Sequence, residues 1–185
     1  MTPRLLTVMA LLAVLLSGCA GMPGYAINEA TLERHLRDAF QDFDRQQLNA
    51  RSPISLSLND ADITLGPDGR DVAVIDLAGE AAATFLGVRL PVNIALKVEG
   101  APVYDSEQKA IFIRRLKLLD SRVESPLLGN ADLKPVTDNA MRLVAQLLET
   151  VPIYRLDETN LGQRILGMAG MDIRVAPGRL EFYKP

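Results

Sequence analysis

Few side chains in this 185-residue sequence can serve as nucleophile, base or metal ligand. It has one cysteine, Cys19, and one histidine, His35. Nucleophilic catalysis needs a hydroxyl or thiol beside a base, and a zinc site needs several nitrogen or sulfur ligands at compatible spacing. Neither residue has such a partner. Carboxylates pair closely at Asp60 and Asp62 and at Asp157 and Glu158. Both pairs fall where acidic side chains cap turns. The residues therefore describe a chain with no catalytic residues, no metal site and no cofactor, and so not an enzyme. His35 lies at the edge of a helical apolar stripe, a boundary position.

Cys19 belongs to a different chemistry. Arg4 is the only charged side chain in the first 28 residues, and an apolar or small run follows from Leu5 to Leu16. A positive n-region before an h-region of about a dozen residues is the pattern of a secretory signal. It is shorter than the ~20 apolar residues that span a bilayer. Leu16-Ser17-Gly18-Cys19 resembles a bacterial lipobox, which implies lipidation of Cys19 and cleavage before it. The chain then divides into a signal peptide over 1–18, a tether over 19–24 and a single domain over 25–185. One acyl chain alone binds a bilayer only marginally; the diacylglyceryl and palmitate-type acyl chains implied by a lipobox anchor the chain to the membrane. Ala20 stands where an aspartate would mark inner-membrane retention. The expected address is the cell envelope, on the outer membrane facing the periplasm.

A lone thiol forms no internal disulfide even in an oxidising compartment. Without residues 1–18 the net charge of −3 becomes −4. Such a chain, with no Lys/Arg cluster, is a poor match for nucleic acid, whose binding rests on phosphate neutralisation. The sequence singles out no protein partner.

The periodicities predict the elements that fill the domain. Leu32, Leu36, Ala39, Phe40 and Phe43 recur at helical steps within a helix over about 27–48, with Asn28 as N-cap and Ile27 and Leu32 as a hydrophobic staple. Beyond Pro53 the period becomes two, with a phase slip around Asn59–Ala61. Gly66-Pro67-Asp68-Gly69 is a turn, and a strand over 72–85 carries the small residues Gly79 and Ala81 to Ala83. Leu86, Val88, Leu90, Val92, Ile94, Leu96 and Val98 are all apolar with small or polar residues between, so one face is buried and the other wet. Thirteen residues reach ~43 Å, which requires the strand to bend. Pro91 belongs at an edge or bulge. After a turn near Ser106–Lys109, Ile111 and Ile113 fall out of phase with Leu116 and Leu118, which a bulge at Arg114–Arg115 reconciles. That arginine pair is either two solvated charges or a binding feature. A second helix runs over about 133–151, from the N-cap Asp132 to Pro152. A shorter helix near Asn160–Ala169 and two strands, 172–175 and 179–183, complete an α+β fold with a long, strongly curved antiparallel sheet.

"YAINEATLERHL" from Tyr25, "PVYDSEQKAIFIRRLKLLD" from Pro102 and "VPIYRL" from Val151, in this order behind a lipobox, resemble the YceB-type lipoproteins, an uncharacterised envelope family. The resemblance covers nearly all of the chain after the signal. It implies a fold similar to the tubular lipid-binding (TULIP-like) proteins, in which the sheet rolls around a long helix and can enclose an acyl chain. It carries over no enzymatic activity.

The expected function is then a membrane-anchored lipoprotein that binds a lipid or other hydrophobe, with Ala81, Leu90, Val92, Ile94, Leu96, Leu143 and Leu147 lining the tube. A core and an apolar pocket have the same composition, so an interior filled by its own side chains stays open beside it. A non-enzymatic envelope scaffold without a ligand is the alternative.

Overall fold

The computed structural model describes residues 25–49, 55–85, 88–125, 134–168 and 170–185. Leu16, Ser17, Gly18, Cys19 and the expected N-cap Asp132 lie outside these residues. The elements in chain order are β1 (Ala26–Asn28), α1 (Glu29–Asn49), β2 (Ser55–Leu65), β3 (Ala73–Phe85), β4 (Val88–Asp105), β5 (Ala110–Glu124), α2 (Lys134–Thr150), β6 (Tyr154–Arg155), α3 (Leu161–Met168), β7 (Asp172–Ala176) and β8 (Arg179–Tyr183).

The fold is α+β. Five antiparallel strands form a sheet in the order β2-β3-β4-β5-β6 that does not close, and β1, β8 and β7 form a separate antiparallel sheet of three. Alternation along β4 sets the two faces of the large sheet. Val92, Ile94, Leu96 and Val98 are buried, whereas Pro91, Asn93, Ala95 and Lys97 are exposed. β4 continues through Gly100 to Asp105 as one strand of 18 residues. The bulge in β5 lies opposite Gly100, where a Cβ would run into the Ile113 side chain. Arg115, inside that bulge, has φ +56°. A second slip leaves Leu119 unpaired. In β2 the extra residue is Asn59, after which the buried set changes from Leu56 and Leu58 to Ala61, Ile63 and Leu65. Both predicted phase changes are thus single-residue bulges that keep apolar side chains on one face. Pro91 pairs with Ala82 on one side, and β5 begins to pair with β4 only at Asn93. Its missing N–H therefore falls where β4 has a single neighbour.

The helices cover the apolar face. α1 lies on β2 and α2 on β5. Leu32, Leu36 and Phe40 of α1 and Ala140, Val144, Leu147 and Leu148 of α2 enter one core with the sheet. Asn28 Oδ1 accepts the Thr31 N–H at 3.0 Å, the expected N-cap. The residue before it, Ile27, is in β1 rather than the helix, and pairs with Leu180 of β8. That pairing joins the N-terminal strand to the C-terminal one. The small sheet sits against the Gly66 turn: the Gly178 N–H donates to Leu65 O at 3.2 Å and the Val175 N–H to Asp71 Oδ1 at 3.1 Å.

The edge strand β2 is protected by α1. Glu29, Glu33 and Arg37 recur every four residues and so share one helix face. Glu29 accepts the Leu65 N–H at 2.7 Å, Glu33 accepts the Ile63 N–H at 3.1 Å, and Arg37 donates to Ala61 O at 3.4 Å. An open strand edge templates aggregation; here carboxylates and a guanidinium take the place of a sixth strand.

Candidate functional site: the apolar face of the sheet

The side chains expected to line a tube are largely core. Ala81, Val92, Ile94, Leu96 and Leu147 are at most 3% exposed and Leu143 is partly buried; the side chain of Leu90 lies outside the described residues. A side chain bordering a channel wide enough for hydrocarbon presents surface to a water molecule. These five present almost none, because β-wall and helix fill the space between them. The lack of side chain at Gly79 is also used by the protein itself. Strand β2 passes so close at its bulge that a Cβ on Gly79 would collide with Ser57 O and come within 2.9 Å of Leu58 Cα.

Accessibility is graded along this face. Ile111 and Ile113, at the start of β5, are fully buried. Further along β5, Leu116, Leu118 and Val123 are only partly buried, as are Val136, Met141 and Leu143 on α2, although all pack against the core. Arg114 fixes the last turn of α2 to β5 by donating to Glu149 O at 2.6 Å, and its guanidinium stands 5.0 Å over the Phe112 ring. The Arg114–Arg115 pair thus contains one arginine spent on packing and one, Arg115, exposed at the bulge.

The sealed end holds a ring cluster that links the three sequence motifs. His35 lies 4.8 Å from the Tyr154 ring, and the Tyr154 and Tyr25 hydroxyls are 3.0 Å apart. Tyr25 packs on Phe182 at 5.9 Å, and Tyr104 meets Phe182 edge-on at 5.2 Å. Tyr154 also donates to Gln163 Oε1 at 3.3 Å, which accepts the Asp157 N–H at 2.6 Å. Burial, with Tyr25 alongside, raises the Tyr154 pKa well above its ordinary value; burial raises that of Tyr104 as well. The Tyr104 oxygen is buried without a hydrogen-bond partner. His35 Nδ1 is 2.9 Å from Thr31 O, so the histidine belongs to this cluster and to its own helix.

Clefts among the described residues include two on the wet face of the sheet and one beside α1. The two on the sheet, of about 300 Å³ and about 360 Å³, share Ala78, Ala95 and Arg122. A third, of about 310 Å³, runs between α1 and the residue after α2, lined by His35, Asp38, Ala39, Phe43 and Val151. Among the described residues no three His, Cys, Asp or Glu side chains are grouped to hold a metal. Asp60 accepts the Ala61 N–H at 2.9 Å and faces Arg37, while Asp62 lines the first polar cleft. Hydrogen bonds from Thr159 hold the Asp157 pKa below the usual carboxylate range, and Lys109, 2.6 Å away, does the same for Glu158.

Residues 27–179 match the family described as "Protein of unknown function (DUF1439)", which is most of the chain. The chain belongs to the DUF1439 family. No curated protein matches it. The DUF1439 span opens at Ile27 in β1 and ends at Arg179, the first residue of β8, so it takes in the whole large sheet and both helices on its apolar face. No helix among the described residues of this DUF1439 chain is long and apolar enough to cross a membrane. The ring cluster was not anticipated from sequence. Its one available signal was that Tyr25, Tyr104 and Tyr154 each stand in a different one of the three quoted motifs.

Proposed function

We propose that this DUF1439 protein is a non-enzymatic, lipid-anchored protein of the bacterial envelope, held by Cys19 on the periplasmic side of the outer membrane. In this reading it is a YceB-type lipoprotein whose unclosed sheet is a variant of the tubular lipid-binding architecture. It takes a hydrophobic ligand, such as an acyl chain, where the apolar face stays accessible between β5 and α2. The observation that carries the ligand reading is the graded burial of that face, from the sealed Ile111 and Ile113 to the partly open Leu116, Leu118, Val136 and Leu143. Apolar burial contributes ~25 cal/mol per Å², so a chain laid there would be held with little selectivity for its identity.

The full-length protein, purified without denaturant, is expected to release bound lipid in native mass spectrometry. Metabolic labelling with palmitate is expected to mark the wild type and not Cys19→Ser. Absence of bound lipid would remove the ligand reading, and absence of label would remove the anchor.

A second reading, an envelope scaffold without a ligand, is favoured by one observation. Val92, Ile94 and Leu96 in mid-sheet are packed as a filled core.

A further inference from the structure

Tyr25 is the first described residue after the stretch carrying Cys19, and it is fixed on several sides. Its ring lies on Phe182, its carbonyl oxygen accepts the Phe182 N–H at 3.0 Å, and its hydroxyl meets that of Tyr154. Tyr154 in turn donates to Gln163 in the first turn of α3. The start of α3 is therefore two side-chain hydrogen bonds from the end of the leash.

Leu161, the first residue of α3, is 70% exposed, the most exposed of the large apolar side chains among the described residues. A single exposed leucine is ordinary; its location makes it informative. The residues between Cys19 and Tyr25, Ala20 to Gly24, span at most ~17 Å when fully extended. Lipid on Cys19 thus brings the α3 end close to the bilayer surface. The flanking charges suit that surface. Arg155 and Arg164 are exposed and stand before and after Leu161 in the chain, Arg155 also donating to Gln108 O at 3.0 Å. Of the two nearby carboxylates, Glu158 is paired with Lys109, while Asp157, held by Thr159, keeps its charge. An exposed apolar tip with cationic side chains nearby in the chain settles at the boundary of headgroups and acyl chains, where arginine can meet anionic phosphates.

We infer that the α3 end of the molecule, with Leu161 at its tip, lies against the bilayer in which Cys19 is anchored. The inference rests on the anchor reading above. It makes α3 a membrane-surface element and orients the whole domain with the ring cluster toward the lipid.

The test uses the fact that Cys19 is the only native thiol and is consumed by lipidation. Full-length lipidated Leu161→Cys protein then takes a polarity-sensitive fluorophore at one place only. Reconstitution is into vesicles of phosphatidylethanolamine and phosphatidylglycerol, with and without a doxyl-labelled acyl chain. The reference is Asn93→Cys, an exposed site ~36 Å along β4 from Tyr104. Doxyl lipid is expected to cut emission at position 161 by roughly twofold or more, as for a label at the acyl boundary, and to leave position 93 unchanged. Protein that floats with the vesicles but is unquenched at 161, or equally quenched at both sites, overturns the placement while leaving the anchor intact. Protein that does not float overturns the anchor and the placement with it.

Discussion

The hydroxyl groups of Tyr25 and Tyr154, 129 residues apart in the chain, lie 3.0 Å from each other. The contact ties the residue before β1 to β6 and, through Gln163, to α3. Tyr154→Phe removes a hydroxyl that serves two partners and is expected to destabilise by ~1–2 kcal/mol; Tyr25→Phe, which removes one, should cost about 1 kcal/mol or less. Urea denaturation of the two single variants and the double variant measures the coupling. Independent, additive effects would show that the hydroxyl contact contributes nothing.

The same hydroxyl predicts a pH dependence. Burial and then Tyr25 raise the Tyr154 pKa above the ordinary 10.0. The unfolded chain therefore loses this proton first as pH rises. The stability contributed by Tyr154 is intact below about pH 10 and falls as pH climbs above it. Denaturant midpoints taken through that alkaline range should fall less steeply for Tyr154→Phe than for wild type. Equal slopes would count against the shift.

Glu33 offers a test of the edge protection. Glu33→Ala leaves the Ile63 N–H without its acceptor, which costs ~1–3 kcal/mol for a shielded backbone donor. Glu33→Gln keeps an acceptor oxygen and loses only the partly exposed pairing with Arg37 at 3.4 Å, worth under ~1 kcal/mol. Exposure of the β2 edge should also raise self-association of the alanine variant in size-exclusion chromatography. A variant as stable and as monomeric as wild type would show the contact to be idle.

Much of the large sheet was legible because alternation is local. Val92 to Val98 state their face two residues at a time, and the slips at Asn59 and Arg115 show as breaks in that count. Helix ends were legible where a cap is local too, as with Asn28 and Thr31. The separate β1-β8-β7 sheet was not, because Ile27 reads equally well as a staple residue or as a strand paired with Leu180, and only the distant partner decides. Glu29, Glu33 and Arg37 share a face by their spacing alone; nothing nearby in the sequence says that a strand edge lies beneath it. For the apolar face the difficulty was different. Ile94 and Leu143 are both apolar and both in phase, yet one is sealed and the other partly open, a distinction made by packing across elements.

Gly79 and Gly69 separate steric from conformational demand. Gly79→Ala would drive a Cβ into the β2 backbone at Ser57 and Leu58, which can yield only by shifting the strand, at ~3 kcal/mol. Gly69 has φ +73° and no atom within 4 Å of where its Cβ would stand. Gly69→Ala therefore carries only the left-handed backbone cost of ~1–2 kcal/mol. Thermal melts are expected to rank Gly79→Ala below Gly69→Ala. The reverse order would mean that β2 and β3 are looser at the bulge than their pairing indicates.

Leu143 and Leu147 occupy successive turns of one helix and divide the core from the proposed groove. Leu147 is 1% exposed, so Leu147→Ala opens a cavity and should cost ~2–5 kcal/mol. It should leave the affinity of the folded protein for a fluorescent fatty acid close to wild type. Leu143 is partly buried, so an arginine there can extend its charged end to water. Leu143→Arg should therefore cost much less stability, but it places a cation across the accessible apolar strip. Affinity for the fluorescent fatty acid is expected to fall about tenfold, equivalent to ~1.4 kcal/mol. Titrations of both variants, each under conditions where it is folded, separate the two roles. If the probe never saturates the wild type, or if Leu147→Ala weakens it more than Leu143→Arg does, the accessible end of this face is not where hydrocarbon binds.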